Sequence, residues 1–179
     1  PESLEGVREI ITGGEALSVT HIRQAQKLLP KTQLINGYGP TENTTFTCCY
    51  RIPSPLDENL TSIPIGRPIA NTEVYILDSN LEPVPIGEAG ELYIGGDGLA
   101  KGYLNRQDLT DEKFIVNPFS EDSTAKLYKT GDKVKYLPDG NIEFIGRLDN
   151  QVKLRGYRIE LGEIETALAQ HKTVRDAVV

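Results

Sequence analysis

The chain has 179 residues and a formal net charge of −7 at pH 7, and this length suits one ordinary domain or one domain with part of another. The acidic balance argues against a general nucleic-acid binder, because neutralising phosphates needs clustered Lys and Arg. No run of 18 apolar residues is present, so no membrane span is predicted. Because the sequence has no Met and ends in the apolar run 177–179, we expect it to be a piece of a longer chain.

The first forty residues predict a strand, a helix and a second strand. The β-branched run 7–11 indicates a strand that ends in a tight loop at 12–14. Ser18 is a suitable N-cap for a helix that Pro30 stops, and Leu34-Ile35 starts the next strand. This order of elements is typical of a parallel sheet.

Ligands of parallel sheets bind at the carboxyl ends of the strands, which points to Gly13-Gly14 and to the segment 36–42 as a common site. In that segment Tyr38 offers a flat face for stacking, and Thr41 offers a hydroxyl group. Glu42 supplies a hard oxygen ligand for a cation such as Mg²⁺. The alternative interpretation is a Gly-Pro turn with a solvated Glu.

The two cysteines and the two histidines do not indicate a cross-link or a zinc site. Cys48 and Cys49 are adjacent, and disulfide geometry is hard to reach across one peptide bond. Two reduced thiols in a strand fit a cytoplasmic protein. His21 and His171 lie far from the cysteines in the sequence, so we expect no structural zinc site.

Residues 64–146 predict short strands that turns separate, and the dipeptide Asp139-Gly140 is a strong hairpin signal. The predicted strands are 73–77, 91–94, 133–137 and 141–145. Their spacing indicates a small antiparallel sheet or barrel. The glycine-rich cluster 90–102 breaks the GxGxxG spacing and lacks a GK[ST] ending, which favours a turn between strands over a phosphate loop.

The last fifty residues combine an acidic side chain with a basic stretch. Asp132 follows a strand, where a carboxylate could accept both hydroxyls of a ribose. Four cations lie within twelve positions and suit an anionic ligand, although a solvated basic strand is the alternative: Arg147, Lys153, Arg155 and Arg158. Strands at 152–154 and 157–159 and a helix at 162–170 follow, and about 30 residues cannot bury a core of their own.

Taken together and in order, five segments resemble the adenylate-forming superfamily, and most closely the amino-acid-activating adenylation domains of nonribosomal peptide synthetases. They are NGYGPTE at 36–42, GELYIGG at 90–96, GYL at 102–104, YKTGD at 128–132 and the stretch from GRLD at 146–149 to Glu165. The part from 151 to 165 is similar to peptide synthetases more than to acyl-CoA synthetases.

This resemblance implies a mixed α/β fold with three parts. They are the end of a parallel-sheet α/β subdomain, an antiparallel β-barrel-like subdomain, and the start of a small α+β C-terminal domain. Residues 1–148 would form the C-terminal portion of the large AMP-binding domain, and residues 149–179 would start the small domain, with a hinge at Asp149.

The resemblance also implies two half-reactions. ATP and an amino acid give an aminoacyl adenylate and pyrophosphate, with Mg²⁺ as cofactor, and the acyl group then passes to the phosphopantetheine thiol of a peptidyl carrier domain. A small accessory protein is left open as a further partner. The family's phosphate loop and its small-domain Lys lie outside these 179 residues, so we expect the isolated chain to catalyse little or nothing.

The resemblance assigns ten residues to the nucleotide: Gly14, Glu15, Asn36, Tyr38, Gly39, Thr41, Asp132, Phe144, Arg147 and Arg158. Tyr38 and Phe144 would stack on the two faces of adenine. Asp132 would accept the ribose hydroxyls together with Arg147, and Thr41 would reach the α-phosphate. Among these residues Thr41 and Arg147 would act in catalysis, as would Glu42, which would hold Mg²⁺. Gly14, Glu15 and Asn36 would contact adenine.

Two further groups of residues take their roles from the same resemblance. Five would line the pocket for the amino-acid side chain: Ile11, Gly13, Gly37, Thr45 and Phe46. Arg155 and Gly156, with Arg158, would belong to the small-domain face that meets phosphate and pantetheine. The alternatives within the superfamily are an acyl- or aryl-CoA synthetase and a ligase that charges D-alanine onto a carrier. A catalytically inactive module that docks a carrier is the non-enzyme alternative, and an unrelated dinucleotide oxidoreductase is disfavoured.

Overall fold

The computed structural model describes residues 2–154 and 157–179. The chain divides into two compact units, Pro1–Gly146 and Arg147–Val179. The predicted boundary between residues 148 and 149 lies two residues further along the chain than this division. None of the helices in the described part of the chain is long and apolar enough to cross a membrane.

The first sheet of the larger unit has four strands in the order β1-β2-β3-β4. They are β1 (Glu9–Gly13), β2 (Gln33–Tyr38), β3 (Cys48–Arg51) and β4 (Arg67–Pro68). β1 and β2 are parallel, which confirms the predicted arrangement, and the other two pairs are antiparallel. β1 begins two residues later than expected and includes Thr12 and Gly13, because these residues pair in register with Asn36 and Gly37.

Helix α1 (Val19–Leu28) connects β1 to β2 and begins at the predicted N-cap. The Ser18 hydroxyl oxygen accepts the His21 backbone N–H at 3.4 Å, as a capping residue does. The apolar face of α1 packs on the sheet through Ile22, which lies in one buried cluster with Leu34 and Ile52. This packing carries the chain back so that β1 and β2 end at the same edge.

The second sheet has the path β5-β6-β8-β7, and β9 also pairs with β8. Its strands are β5 (Thr72–Leu77), β6 (Ala89–Gly96), β7 (Phe114–Val116), β8 (Lys126–Tyr136) and β9 (Ile142–Arg147). The β5-β6, β6-β8 and β7-β8 pairs are antiparallel, and Asp139-Gly140 lies in the β8-β9 hairpin, as predicted. The two sheets share a core that includes Cys48, Leu92 and Ile142.

Two features of this region differ from the sequence analysis. β8 begins at Lys126, so Asp132 lies inside a strand of eleven residues and does not follow one. The register of β8 against β6 shifts between Glu91 and Tyr93, and Gly131 has φ 73°. This bulge interrupts the regular alternation that marks a strand in a sequence. The short helix α2 (Gln107–Lys113) was not predicted.

The smaller unit contains β10 (Val152–Leu154), β11 (Tyr157–Ile159) and helix α3 (Leu161–Ala169). β10 and β11 are antiparallel, as expected for the two predicted strands. Among the described residues of this unit no hydrophobic side chain is buried, which agrees with the expectation that so short a segment forms no core of its own.

Candidate functional site

The carboxyl ends of β1 and β2 lie side by side and form one edge of the candidate site. Gly13 pairs with Gly37, and the two backbones approach so closely that a Cβ on Gly13 would lie 1.8 Å from the Gly37 carbonyl oxygen. A side chain therefore cannot be accommodated at this edge without moving a strand. Gly14 and Glu15 follow in the exposed loop between β1 and α1.

Three of the residues predicted to line the substrate pocket surround Gly37. A Cβ built on this glycine would lie 2.5 Å from Phe46 Cε1 and 2.8 Å from Ile11 Cγ2. Ile11 is 50% exposed, so its side chain is accessible at this edge of the sheet. The structure thus gathers an isoleucine and a phenylalanine around a glycine. Thr45, which is exposed, follows in the same loop as Phe46.

The chain leaves β2 through Gly39 and forms a short 3₁₀ helix at Thr41–Asn43. Backbone bonds from Asn43 N to the Pro40 oxygen and from Thr44 N to the Thr41 oxygen, both 3.1 Å, close this turn. Thr41 is exposed, whereas Glu42 is only 7% exposed. The Gly-Pro turn of the sequence analysis is present, but its glutamate is buried, which contradicts the solvated alternative.

Loop 97–106 holds the buried carboxylate of Glu42. The Tyr103 hydroxyl donates a hydrogen bond of 2.6 Å to Glu42 Oε1, and the Ala100 N–H donates to the Glu42 backbone oxygen at 2.8 Å. Burial raises the pKa of the Tyr103 hydroxyl above its ordinary value, and its hydrogen bonds with Glu42 and Tyr128 raise it further. The phenol therefore remains protonated and acts as the donor.

The structure also tests whether Glu42 fits a divalent cation. Among the described residues no three His, Cys, Asp or Glu side chains come together in a metal-binding group. Mg²⁺ commonly takes one or two carboxylates and completes its coordination with water and phosphate oxygens. A single buried and oriented carboxylate fits that pattern, so Glu42 is suited to hold Mg²⁺ beside a nucleotide.

A second buried carboxylate, Asp132, meets the aromatic residue predicted to stack on adenine. The Tyr38 hydroxyl donates to Asp132 Oδ2, and the two residues are 9% and 3% exposed. The Asp132 N–H donates to Thr130 Oγ1 at 2.9 Å, and Gly131 N donates to Glu91 Oε1 at the same distance. The bulge of β8 thus sets the position of this carboxylate.

The remaining predicted nucleotide contacts of the larger unit lie around the same core. Phe144, on β9, packs against the hydrophobic cluster that contains Tyr38. Asn36 is 4% exposed, and its side-chain N–H donates to the Pro64 backbone oxygen at 2.8 Å. This amide therefore also anchors the chain that leads to β4 (Arg67–Pro68), a structural contact that the sequence did not indicate.

In the smaller unit Arg147 forms a two-point ion pair with the predicted hinge residue. Its Nε donates to Asp149 Oδ1 at 2.8 Å, and its Nη2 donates to Oδ2 of the same carboxylate. Arg158 Nε lies 3.6 Å from Glu160 Oε1. Arg155 and Gly156 lie outside the described residues.

The sequence analysis missed two parts of the site. Tyr103 belongs to a quoted motif, yet nothing in the sequence pairs it with a glutamate 61 positions away. The pairing of Arg147 with Asp149 was also missed, although a base and an acid two residues apart were a readable signal.

Comparisons with known proteins agree with this arrangement. The sequence model of the family described as AMP-binding enzyme matches residues 1–104. The chain is 63% identical over 174 residues to a protein of the linear gramicidin synthase of Brevibacillus parabrevis, and the match covers 97% of this chain and 2% of that protein. It is 55% identical over 179 residues to tyrocidine synthase 3 of the same organism, covering 100% of this chain and 3% of the relative. The chain thus spans only a small part of the length of these relatives.

Solved structures show the same relationship. The structure of holo-PA1221, an NRPS protein containing adenylation and PCP domains, superposes with a TM-score of 0.88 at 41% identity, over 98% of this chain and 30% of that one. The crystal structure of IdnL1 also gives 0.88, at 30% identity, over 98% of this chain and 36% of its own. The chain therefore belongs to the AMP-binding enzyme family, within its nonribosomal peptide synthetase adenylation branch.

Proposed function

We propose that the protein carrying this chain activates an amino acid with ATP and transfers the aminoacyl group to a carrier domain. The observation that carries the proposal is the pair of buried carboxylates, Glu42 and Asp132, each held by a tyrosine hydroxyl next to the joint edge of β1 and β2. The similarity to gramicidin and tyrocidine synthases supports the choice of an amino acid over a fatty or aryl acid.

The reaction needs little covalent chemistry from the protein. The substrate carboxylate attacks the α-phosphorus of ATP, a P–O bond forms, and the bond to the leaving pyrophosphate breaks. Such a displacement depends on in-line placement and on neutralising negative charge. Mg²⁺, when bound, supplies part of that neutralisation. Glu42 would hold the ion, and the exposed hydroxyl of Thr41 would contact the α-phosphate.

The nucleoside would lie between Tyr38 and Phe144, with Gly14, Glu15, Asn36 and Gly39 around the base. Asp132 would accept the ribose hydroxyls. Its carboxylate takes one hydrogen bond from Tyr38, and a carboxylate has two oxygens with which to accept others. Arg147 and Arg158 of the smaller unit would supply positive charge to the sugar and phosphates, and Asp149 would act as the hinge between the half-reactions.

The amino-acid side chain would meet the surface formed by Ile11, Gly37 and Phe46, flanked by Gly13 and Thr45. An isoleucine and an aromatic ring around a glycine present apolar area and no charge. Burying a charged side chain there without a partner would be costly. We therefore infer that the activated amino acid has an apolar side chain.

The second half-reaction would place a phosphopantetheine thiol against the adenylate, so that sulfur attacks the acyl carbon and AMP leaves. A peptidyl carrier domain is the proposed partner, since a similar structure joins adenylation and PCP domains. The proposal also includes a cytoplasmic location, and it leaves room for a small accessory protein.

The decisive experiment is ATP–pyrophosphate exchange with the natural full-length protein that carries this sequence. We expect exchange to depend on apolar amino acids and to be absent with charged amino acids. Exchange only with fatty or aryl acids would indicate a CoA ligase, and exchange only with D-alanine a carrier ligase of that type. Absence of exchange with every acid would favour an inactive docking module.

A further inference from the structure

Loop 97–106 grips Glu42 at both its backbone and its side chain. The backbone oxygen accepts the Ala100 N–H at 2.8 Å, and Oε1 accepts the Tyr103 hydroxyl at 2.6 Å. The neighbouring Thr44 hydroxyl donates to the Gly98 carbonyl at 2.8 Å, so the loop is tied to the 3₁₀ turn at a third point. The loop and the turn thus form one connected structure.

Helix α2 fixes the tyrosine from the other side. The Tyr103 N–H donates to Thr110 Oγ1 at 2.9 Å, and its ring lies edge-on to Phe114 with centroids 5.6 Å apart. Gly102 has φ 141°, and a Cβ there would lie 2.4 Å from Thr110 Cγ2. The helix therefore sits directly against the Gly-Tyr step, and the phenol has little freedom to move.

A buried carboxylate needs donors in fixed places, because an ion removed from water loses stabilisation that only oriented groups restore. Tyr103 supplies such a donor to Glu42, which is 7% exposed. A hydrogen bond to one carboxylate oxygen also fixes the rotation of the whole group. A carboxylate held in this way presents its lone pairs in one direction.

We propose that Tyr103 is a positioning residue that orients Glu42 toward the divalent cation bound with ATP. The proposal rests on the proposed function, because it takes Glu42 as the ligand of that cation. It assigns a role to the Gly-Tyr motif at 102–103 and to α2, which supports that motif.

Direct binding of Mn²⁺ tests the proposal without relying on turnover. Free Mn²⁺ is measured by electron paramagnetic resonance in the natural full-length protein with α,β-methylene-ATP and no amino acid. We expect Tyr103→Phe to weaken Mn²⁺ binding roughly tenfold, at the lower end of the effect of one hydrogen bond to a charged group. Binding of the nucleotide in EDTA should remain unchanged.

The matched control is Tyr75→Phe, because the Tyr75 hydroxyl also donates to a carboxylate, Glu73 Oε2, at 3.2 Å. This variant should leave the Mn²⁺ affinity unchanged. Glu42→Gln should weaken Mn²⁺ binding at least as much as Tyr103→Phe, and adding Tyr103→Phe to Glu42→Gln should cause no further loss, because the two residues act through one contact.

The outcomes separate the two levels of the hypothesis. Normal Mn²⁺ binding by Tyr103→Phe, with weak binding by Glu42→Gln, refutes the positioning role and leaves the metal role of Glu42 standing. Normal binding by both variants refutes the metal role itself. Should Tyr103→Phe not fold, Thr110→Val decides, since it keeps the phenol and removes the acceptor of the Tyr103 N–H. Unchanged Mn²⁺ affinity in that variant overturns the proposal, and a loss of roughly threefold supports it.

Discussion

The buried pair of Tyr38 and Asp132 allows a structural role to be separated from a role in binding ATP. The two residues are 9% and 3% exposed, so water cannot readily replace a lost partner. Tyr38→Phe removes the hydroxyl donor and should lower the free energy of unfolding by about 1.5–3 kcal/mol, the range for a hydrogen bond to a charged group. Asp132→Ala should cost at least as much, because it leaves the hydroxyl buried without this acceptor.

The two variants should differ in ATP affinity. If Asp132 accepts two ribose hydroxyls, Asp132→Ala removes two hydrogen bonds to a charge, which corresponds to a loss of roughly a hundredfold or more in Kd. Tyr38→Phe keeps both the carboxylate and an aromatic face for adenine, and we expect a change below about tenfold. Titration calorimetry with ATP on the full-length protein measures both values.

Asp132→Asn is the control, since its amide oxygen can still accept the Tyr38 hydroxyl. It should restore much of the lost stability and little of the lost ATP affinity, because the charge is gone. An equal loss of ATP affinity in Tyr38→Phe and Asp132→Ala would refute the ribose assignment and reduce Asp132 to a support for Tyr38.

Three other changes test separate parts of the structure. Gly37→Ala places a Cβ only 2.5 Å from a neighbouring aromatic ring, so we expect a higher KM for the amino acid with the KM for ATP little changed in exchange kinetics. Burial raises the pKa of the Cys48 thiol to about 12, with Cys49 adding to the effect. Iodoacetamide at pH 8 should therefore alkylate Cys49 and leave Cys48 unmodified until the protein unfolds, and mass spectrometry of the peptides would show equal labelling if this reasoning were wrong. Asp149→Asn removes the charge that holds Arg147, and it should change the rate of one half-reaction more than the other in single-turnover assays, whereas equal losses would contradict a hinge role.

The sequence predicted those elements whose causes are local. The Ser18 cap, the parallel pairing of β1 with β2 and the turn at Asp139-Gly140 follow from capping, hydrophobic pattern and turn chemistry within a few residues. The resemblance of five segments correctly indicated the family, which no single motif could do.

The remaining features depend on contacts between distant residues. The bulge that places Asp132 inside β8 is a mismatch between two strands, and neither strand shows it alone. Helix α2 has seven residues, which is too short for a helical period to be recognised. The bond between Tyr103 and Glu42 joins two loops that meet only when both sheets are formed.

Strand β8 gives the two proposed contacts with ATP a common mechanical reference. Tyr128 packs against Phe114 at 5.2 Å between ring centroids, and Phe114 in turn supports Tyr103, which holds Glu42. Asp132 lies four residues further along the same strand, a distance of about 13 Å in extended chain. The spacing between the sugar contact and the metal contact is therefore set by the length of one strand. Inserting or deleting a single residue between positions 128 and 132 would put both contacts out of alignment together, even though neither residue had been replaced.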